Sequence, residues 1–345
     1  MDFFTNSTPT TINILYSKNN GEWITWDFTE ISLSTGDTLK LKGNNPDGFS
    51  NPNNGYLNTF NNSTGKVDVS GNIMSLLYTD DFQNKTEIPC EGCFTMLFGN
   101  EMAPVDFLIN AKNLVLPATT LTDSCYAGMF AGCISLISVP ELPATTLAEN
   151  CYTGMFLACV LLTSAPELPA TTLAERCYNN MFIGCISLTS APELPATTLA
   201  DYCYESMFYG CASLTTAPEL PATTLAKYCY SAMFYSCTSL TTAPELPATT
   251  LADYCYESMF YNCTSLTSAP ELPATTLAER CYSEMFNDCT LLNYIKMLAT
   301  DISADYCLND WVSNVSSTGA FVKSAGVEIP TGDSGIPSGW TVQEV

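Results

Sequence analysis

The chain has 345 residues, 46% of them hydrophobic, and a formal net charge of -24 from 35 acidic and 11 basic side chains. A nucleic-acid binder needs a basic face to displace counterions from phosphate, so we expect no nucleic-acid partner. The sequence contains no histidine, which removes the commonest general base and the commonest zinc ligand. The N-terminal MDFFTNSTPTT has neither a basic n-region nor an apolar h-region, so no signal peptide is predicted. No apolar run approaches the roughly 20 residues that span a bilayer, so we expect no membrane insertion.

Residues 1–88 are predicted to form a small β-rich, sandwich-like N-terminal domain. Apolar residues alternate over 12–16, an Asn-Asn-Gly turn follows, and the ranges 23–28 and 31–41 have strand character. The stretch 43–65 is rich in Asn, Gly, Ser and Pro and is predicted to be loop.

Residues 89–312 are dominated by a tandem repeat of 26 residues, which in one copy is LPATTLADYCYESMFYNCTSLTSAPE. Degenerate copies stand at both ends, as capping repeats with a single neighbour require. Two cysteine series keep the period: Cys125, Cys151, Cys177, Cys203, Cys229, Cys255 and Cys281, and Cys133, Cys159, Cys185, Cys211, Cys237, Cys263 and Cys289.

Each unit is predicted to contain one short helix and one short extended strand, which gives an α/β repeat solenoid of the leucine-rich-repeat type. In the copy at 251–263, apolar residues recur every four positions and form the stripe of a helix. Thr250 followed by Asp253 matches a capping box at its start. Two prolines in TSLTSAPELP end the helix. That segment is predicted to run extended with Leu266 and Leu272 turned inward, and the sequence leaves open whether it is a strand or polyproline II.

The cysteines are predicted to be core thiols, because free Cys packs as a small hydrophobe. Equivalent cysteines in adjacent turns would lie about 5 Å apart, so a ladder of disulfides is the alternative. Cys90-Glu-Gly-Cys93 is a lone CxxC. Zinc needs two further ligands, so no metal site is predicted there, and Cys90 is left without a structural role.

A glutamate recurs at one position of the repeat and should stack into a stripe, the Glu column. Like charges about 5 Å apart repel by roughly 1 kcal/mol per pair in a water-like dielectric, so such a row tends to bind cations, Ca²⁺ among them, or a basic partner. The alternative, which we favour, is a solvated face, and no cofactor is predicted. The column consists of Glu141, Glu167, Glu193, Glu219, Glu245 and Glu271.

Two further positions carry tyrosine only in the middle repeats. Aromatic surface is characteristic of recognition sites, so these side chains are candidate partner contacts, with local packing as an equal alternative. A separate tyrosine column from Tyr126 to Tyr282 borders the apolar stripe and is predicted to be core. The candidate contacts are Tyr202, Tyr228 and Tyr254 at the first position and Tyr209, Tyr235 and Tyr261 at the second.

Residues 313–345 are predicted to form a turn-rich C-terminal cap or tail. This segment ends in TGDSGIPSGWTVQEV, in which Trp340 is the one aromatic anchor.

The units, above all MFYNCTSLTSAPELP, resemble the BspA-like leucine-rich repeats of bacterial surface proteins, in which an aromatic pair, a Cys and a Ser/Thr-Leu mark each turn. The resemblance covers residues 93–312. It implies a curved solenoid, an extracellular or cell-surface location, and adhesion to or recognition of a protein or glycan. The chain departs from the pattern by its longer unit and an extra Cys-Tyr before Met-Phe. The repeats also resemble those in proteins encoded by phages of gut bacteria, and because no signal peptide is predicted, a virion setting stays open.

The expected function is therefore non-enzymatic binding, with the middle repeats at 198–263 as the contact surface. The alternative is a phage or virion structural or receptor-binding component in which the solenoid is a spacer. Catalysis is not expected, because no His is present to act as a base. The repeated carboxylates also share one environment, whereas acid–base chemistry needs two that differ.

Overall fold

A computed structural model describes part of the chain's N-terminal region and everything after it. The described residues are 2–5, 12–50, 52, 56–61 and 65–345.

The N-terminal region is β-rich, as predicted. One antiparallel pair joins β1 to β5, and a three-stranded antiparallel sheet has the order β3-β2-β4. The turn predicted after residues 12–16 is present and follows β2, with positive φ at Asn19 and Asn20. The strands are β1 (Asp2–Thr5), β2 (Ile14–Lys18), β3 (Ile24–Thr25), β4 (Leu39–Gly43) and β5 (Asn58–Asn61).

Two of the N-terminal boundaries differ from the sequence prediction. The strand expected over 31–41 begins only at Leu39, because Ser34 and Asp37 close a turn in which the Ser34 N–H donates to the Asp37 carboxylate at 2.8 Å. The loop expected over 43–65 contains β5, where Phe60 is buried and its N–H donates to the Leu97 carbonyl at 2.8 Å. Residues 51, 53–55 and 62–64 of that predicted loop lie outside the described residues.

Backbone pairing continues from this region into the repeats. Strand β6 (Val67–Asn72) pairs in parallel with β7 (Leu108–Val115), with register shifts near its start. The four-residue helix α1 (Ser75–Tyr78) follows β6 and buries Leu76 and Leu77. Strand β6 and the degenerate copy that precedes the first full repeat therefore share a two-stranded sheet.

The helix predicted in each repeat is wrong. In the described repeats the segment forms a series of turns in which every fourth residue has a positive φ, as at Tyr254 (59°), Ser258 (54°) and Asn262 (56°). Backbone hydrogen bonds alternate along it. The Cys255 N–H donates to Ala252 within its own turn at 3.3 Å, and the Tyr256 N–H donates to the equivalent cysteine of the next repeat at 3.1 Å.

The strict four-residue spacing explains why turns replace the helix. An α-helix has 3.6 residues per turn, so a stripe at intervals of four rotates by roughly 40° at each step. The series of turns keeps the side chains of 251, 255, 259 and 263 in register. Left-handed backbone at a non-glycine residue costs about 1–2 kcal/mol, and the hydrogen bonds to the next repeat offset this cost.

The capping role predicted for the Thr-x-x-Asp/Glu pairs is also wrong, because there is no helix to cap. Two of the three aspartates at this position instead join neighbouring repeats. Asp123 accepts a hydrogen bond from the Glu149 N–H at 3.1 Å, and Asp201 accepts one from the Lys227 N–H at 2.9 Å.

The extended segments form little regular strand. Strand β8 (Glu271–Leu272) is two residues long, and earlier repeats pair through isolated parallel bridges such as Thr224 with Thr250. Proline lacks an N–H and cannot donate to a ladder, which accounts for the interruption. Leu266 and Leu272 are fully buried, as predicted.

The core consists of side-chain columns that run from repeat to repeat. Neighbouring rings of the buried tyrosine column lie 5.7–6.1 Å apart, and those of the parallel phenylalanine column, Phe130 to Phe286, lie 5.5–5.7 Å apart. Trp311 continues both columns at the C-terminal end, with ring centroids 6.3 Å from Tyr282 and 6.1 Å from Phe286. Each repeat thus completes the hydrophobic surface of its neighbour.

The C-terminal tail is more regular than its turn-rich sequence predicts. A four-stranded parallel sheet has the order β11-β10-β9-β8 and so extends from the last repeat. Trp340 is buried, and its indole N–H donates to the Ser316 carbonyl at 2.7 Å. The added strands are β9 (Tyr294–Met297), β10 (Ala320–Lys323) and β11 (Thr341–Glu344).

Two glycines allow the contact between repeats to be tested. Gly132 and Gly184 occupy nearly equivalent left-handed positions, with φ of 73° and 69°. A methyl group at Gly132 would collide with the Asn100 carbonyl oxygen, whereas at Gly184 the nearest atom is the Ala158 Cα at 3.8 Å. We expect Gly132→Ala to lower the free energy of unfolding by about 1–3 kcal/mol more than Gly184→Ala, measured by urea denaturation. Equal losses would mean that only backbone strain matters.

Candidate binding surface

The six candidate tyrosines form two ladders on the middle repeats. In the first Tyr ladder (Tyr202, Tyr228, Tyr254) the ring centroids lie 4.7 and 4.3 Å apart, with interplanar angles of 10° and 23°. In the second Tyr ladder (Tyr209, Tyr235, Tyr261) both spacings are 4.4 Å, with angles of 7° and 1°. The six side chains singled out in the sequence as candidate contacts therefore stack in two rows that run from repeat to repeat.

The two ladders are close neighbours along each repeat. Between Tyr202 and Tyr209 the residues Cys203, Tyr204, Met207 and Phe208 are buried and belong to the core, so only 205 and 206 stand between the ladders toward solvent. In successive repeats these two positions carry Glu-Ser, Ser-Ala and Glu-Ser. A narrow strip of small and acidic residues therefore separates two aromatic rows.

The ladder tyrosines pack against each other and are also partly exposed to solvent. Parallel rings less than 5 Å apart cover each other's faces, which satisfies the preference of aromatic pairs for stacked arrangements. What remains toward solvent is the ring edges and hydroxyls, and Tyr209 at the start of its ladder is 37% exposed. Such a surface offers hydrogen-bonding groups on a rigid aromatic base.

Arginines close both ends of the first Tyr ladder. The Arg176 guanidinium lies 4.2 Å from the Tyr202 ring, and that of Arg280 lies 5.8 Å from the Tyr254 ring. Cations over aromatic faces are attracted by the ring quadrupole. These arginines were missed from the sequence, although the signal was present: they occupy the same repeat position as the tyrosines, one repeat before and one repeat after them.

A carboxylate holds one of the ladder hydroxyls. Glu279 accepts a hydrogen bond from the Tyr254 hydroxyl at 2.7 Å, which raises the pKa of that tyrosine to about 12. Burial raises the pKa of Tyr235 to about 12 as well. Both hydroxyls are therefore protonated across the neutral range.

Two glutamates between the ladders were also missed. Burial raises the pKa of Glu205, which accepts a hydrogen bond from the Asn179 amide at 2.7 Å. Burial likewise raises the pKa of Glu257, opposed by the nearby Arg280 guanidinium at 3.6 Å. These carboxylates are half-buried parts of the surface, unlike the exposed Glu column.

The structure does not bring the Glu column and the Tyr ladders together. Glu193, Glu219, Glu245 and Glu271 are exposed, and within the described residues no hydrogen bond or ion pair joins them to a ladder tyrosine. Glu271 pairs with the Lys296 ammonium at 2.9 Å. Glu193 and Glu219 line an open groove of about 430 Å³ together with neighbouring prolines. Among the described residues, no three acidic or cysteine side chains are grouped as metal ligands.

The cysteine series are free thiols in the core. All 17 cysteines are unpaired, and only Cys90 is more than slightly exposed. Thiols of the second series donate to the phenylalanine carbonyl of the preceding repeat, as Cys237 does to Phe208 at 3.2 Å. Burial raises the pKa of Cys237 to about 12. These thiols form a second line of contacts between repeats.

Equivalent residues joined from one unit to the next, with continuous columns of side chains, define a tandem-repeat protein. The family model described as BspA type leucine rich repeat region, six copies, matches residues 108–231 and 175–311. The matched range is more than half of the chain, so the protein belongs to this BspA-type leucine-rich-repeat family, which implies a repeat solenoid. No curated protein and no solved structure matches the chain. In the part of the chain that the structure describes, no helix has the length and apolar character needed to cross a bilayer.

Proposed function

We propose that this protein is a non-enzymatic binding protein that adheres to a protein or glycan on a cell surface through the middle repeats at 198–263. The observation that carries the proposal is the pair of Tyr ladders, because no other position of the repeat changes to an aromatic residue in three successive units. Membership of the BspA-type family supports an adhesive role and an extracellular or cell-surface location.

The chemistry of the ladders suits a partner rich in hydrogen-bonding groups. Tyrosine supplies a large, rigid contact area at a low cost in conformational entropy, and its hydroxyl both donates and accepts. The stacked rings are already fixed by their neighbours, so binding does not have to order them. The proposal includes no catalysis, since the sequence has no histidine to act as a general base.

The test is binding to arrays of glycans and of host and bacterial surface proteins, with and without millimolar calcium. A variant with Tyr202, Tyr228 and Tyr254 all changed to Ser is expected to lose affinity by on the order of tenfold or more, because interface tyrosines are frequent hot spots. Each lost ring pair also costs roughly 0.5–1.5 kcal/mol of stability, so the folded state of the variant is checked by urea denaturation.

The matched control removes three exposed apolar side chains elsewhere. Ile137, Leu161 and Ile186 are 51%, 49% and 51% exposed and lie in repeats before the ladders, so changing all three to Ser should leave binding intact. Equal loss in both variants would argue against a ladder contact. Binding that survives the tyrosine changes and maps to residues 1–88 would instead make the repeats a spacer, as in a virion component.

A further inference from the structure

Two thiols at the junction between the N-terminal strands and the first repeat differ from all the others. Cys90 is half-buried and belongs to neither 26-residue series, whereas Cys93 is fully buried and lies in the repeat core. The Cys90 thiol donates to the Ser50 carbonyl at 3.6 Å, and the N–H of the same Ser50 donates to the Cys93 carbonyl, so one residue binds both cysteines. They form an adjacent pair of free thiols, one of which reaches the surface.

The surroundings give the two sulfurs unequal reactivity. The hydrogen bond from Cys93 lowers the pKa of Cys90, while burial raises the pKa of Cys93 well above its usual value. The thiolate is the nucleophile in disulfide exchange, so Cys90 is the thiol that reacts first. The thiols of the two 26-residue cysteine series react more slowly with a disulfide, because burial raises the pKa of each of them, as it does for Cys133 to about 12.

Residues from neighbouring segments hold the backbone of Cys90 and Cys93 in place. The Ser50 N–H donates to the Cys93 carbonyl at 2.8 Å, and the Thr122 hydroxyl donates to the Cys90 carbonyl at 2.8 Å. Gly48 faces the Cys90 sulfur, and any side chain at that position would collide with it. The site therefore leaves room for the Cys90 sulfur and holds both cysteines in one arrangement.

We propose that Cys90 and Cys93 form a thiol–disulfide exchange site that takes low-molecular-weight disulfides of the glutathione type. The Cys90 thiolate attacks one sulfur of the small disulfide, forming a mixed disulfide and releasing one thiolate. Cys93 then gives up its proton to that thiolate and attacks the Cys90 sulfur, which releases the second thiol. The small disulfide gains two electrons and two protons, and a Cys90–Cys93 disulfide forms.

The experiment treats the reduced full chain with oxidised glutathione and follows the products by mass spectrometry. Tryptic cleavage after Lys85 and Lys112 releases a peptide whose only cysteines are Cys90 and Cys93. We expect this peptide to lose the mass of two hydrogens without retaining glutathione. Cys93→Ala should stop at the mixed disulfide on Cys90, and Cys90→Ala should leave the peptide unreacted.

A second readout keeps the proposal testable if a variant is destabilised. The rate of iodoacetamide labelling of Cys90 against pH reports its pKa directly, and Cys93→Ala should move that profile to higher pH by removing the hydrogen bond. Cys307→Ala is the control, because this thiol lies far along the chain, and it should leave both readouts unchanged. The proposal would be overturned if Cys90 were labelled no faster than the thiols of the two cysteine series, or if the wild-type product stayed glutathionylated.

Discussion

Between pH 9.0 and about pH 12 the protein is expected to unfold steeply, because its core contains columns of neutral thiols. An exposed cysteine in the unfolded chain ionises near its usual pKa of 9.0, whereas burial raises the pKa of seven of these thiols to about 12 in the folded state. The folded state then binds more protons than the unfolded state, so stability falls as the pH rises. The seven are Cys133, Cys151, Cys185, Cys203, Cys237, Cys281 and Cys289.

The magnitude follows from proton linkage. Each thiol that is ionised only in the unfolded state removes about 1.4 kcal/mol of stability per pH unit. Seven thiols acting together remove on the order of 10 kcal/mol within about one unit above pH 9, which equals the whole stability of a typical domain. Below the pKa of the unfolded thiols this contribution is fully present, and the effect disappears.

The loss of stability with rising pH is measured by urea denaturation at neutral pH, at pH 9 and at about pH 10, in the presence of a reductant. A double variant, Cys185→Ala with Cys237→Ala, is the control: its stability should fall less steeply with pH, by about 3 kcal/mol per unit. Midpoints that stay constant to about pH 10, or equal slopes in the two proteins, would show that the thiols do not govern alkaline unfolding.

The sequence predicted the repeat and the composition of its core, because both depend on the period alone. Buried positions recur every 26 residues, and the structure places Cys, Tyr, Met and Phe at these positions in every full copy of the repeat. The conformation of the segment was predicted wrongly for a physical reason. Apolar residues at intervals of four resemble the i, i+4 pattern of a helix over one copy, and a single unit does not reveal the hydrogen bonds between copies that stabilise the turns.

The candidate surface was also predicted only in part. Its tyrosines were found from their confinement to three repeats, but the covering of each ring face by the next depends on the spacing between repeats, which the sequence does not contain. The N-terminal continuation of the core was missed. Phe49 and Phe60 lie 6.4 and 5.8 Å from Phe94 and Phe98 without any repeat motif around them.

Replacing Phe208 by alanine is expected to lower the free energy of unfolding by about 3–5 kcal/mol, the cost of emptying a fully buried aromatic site. Phe208 is fully buried in the middle of its column, with ring centroids 5.6 and 5.7 Å from Phe182 and Phe234. Its carbonyl accepts a hydrogen bond from the Cys237 thiol of the next repeat, so a shift of the Phe208 backbone would also disturb that repeat.

The neighbouring residue gives a matched comparison. Tyr209→Ala removes a ring of similar size that is 37% exposed and stacks on a single partner, Tyr235, at 4.4 Å. The expected loss is about 0.5–1.5 kcal/mol from the ring pair. Both variants are compared by urea denaturation at neutral pH. Because each repeat is stabilised mainly by the two beside it, the cavity at Phe208 weakens two interfaces at once. Equal losses at 208 and 209 would mean that the phenylalanine column does not hold the repeats together.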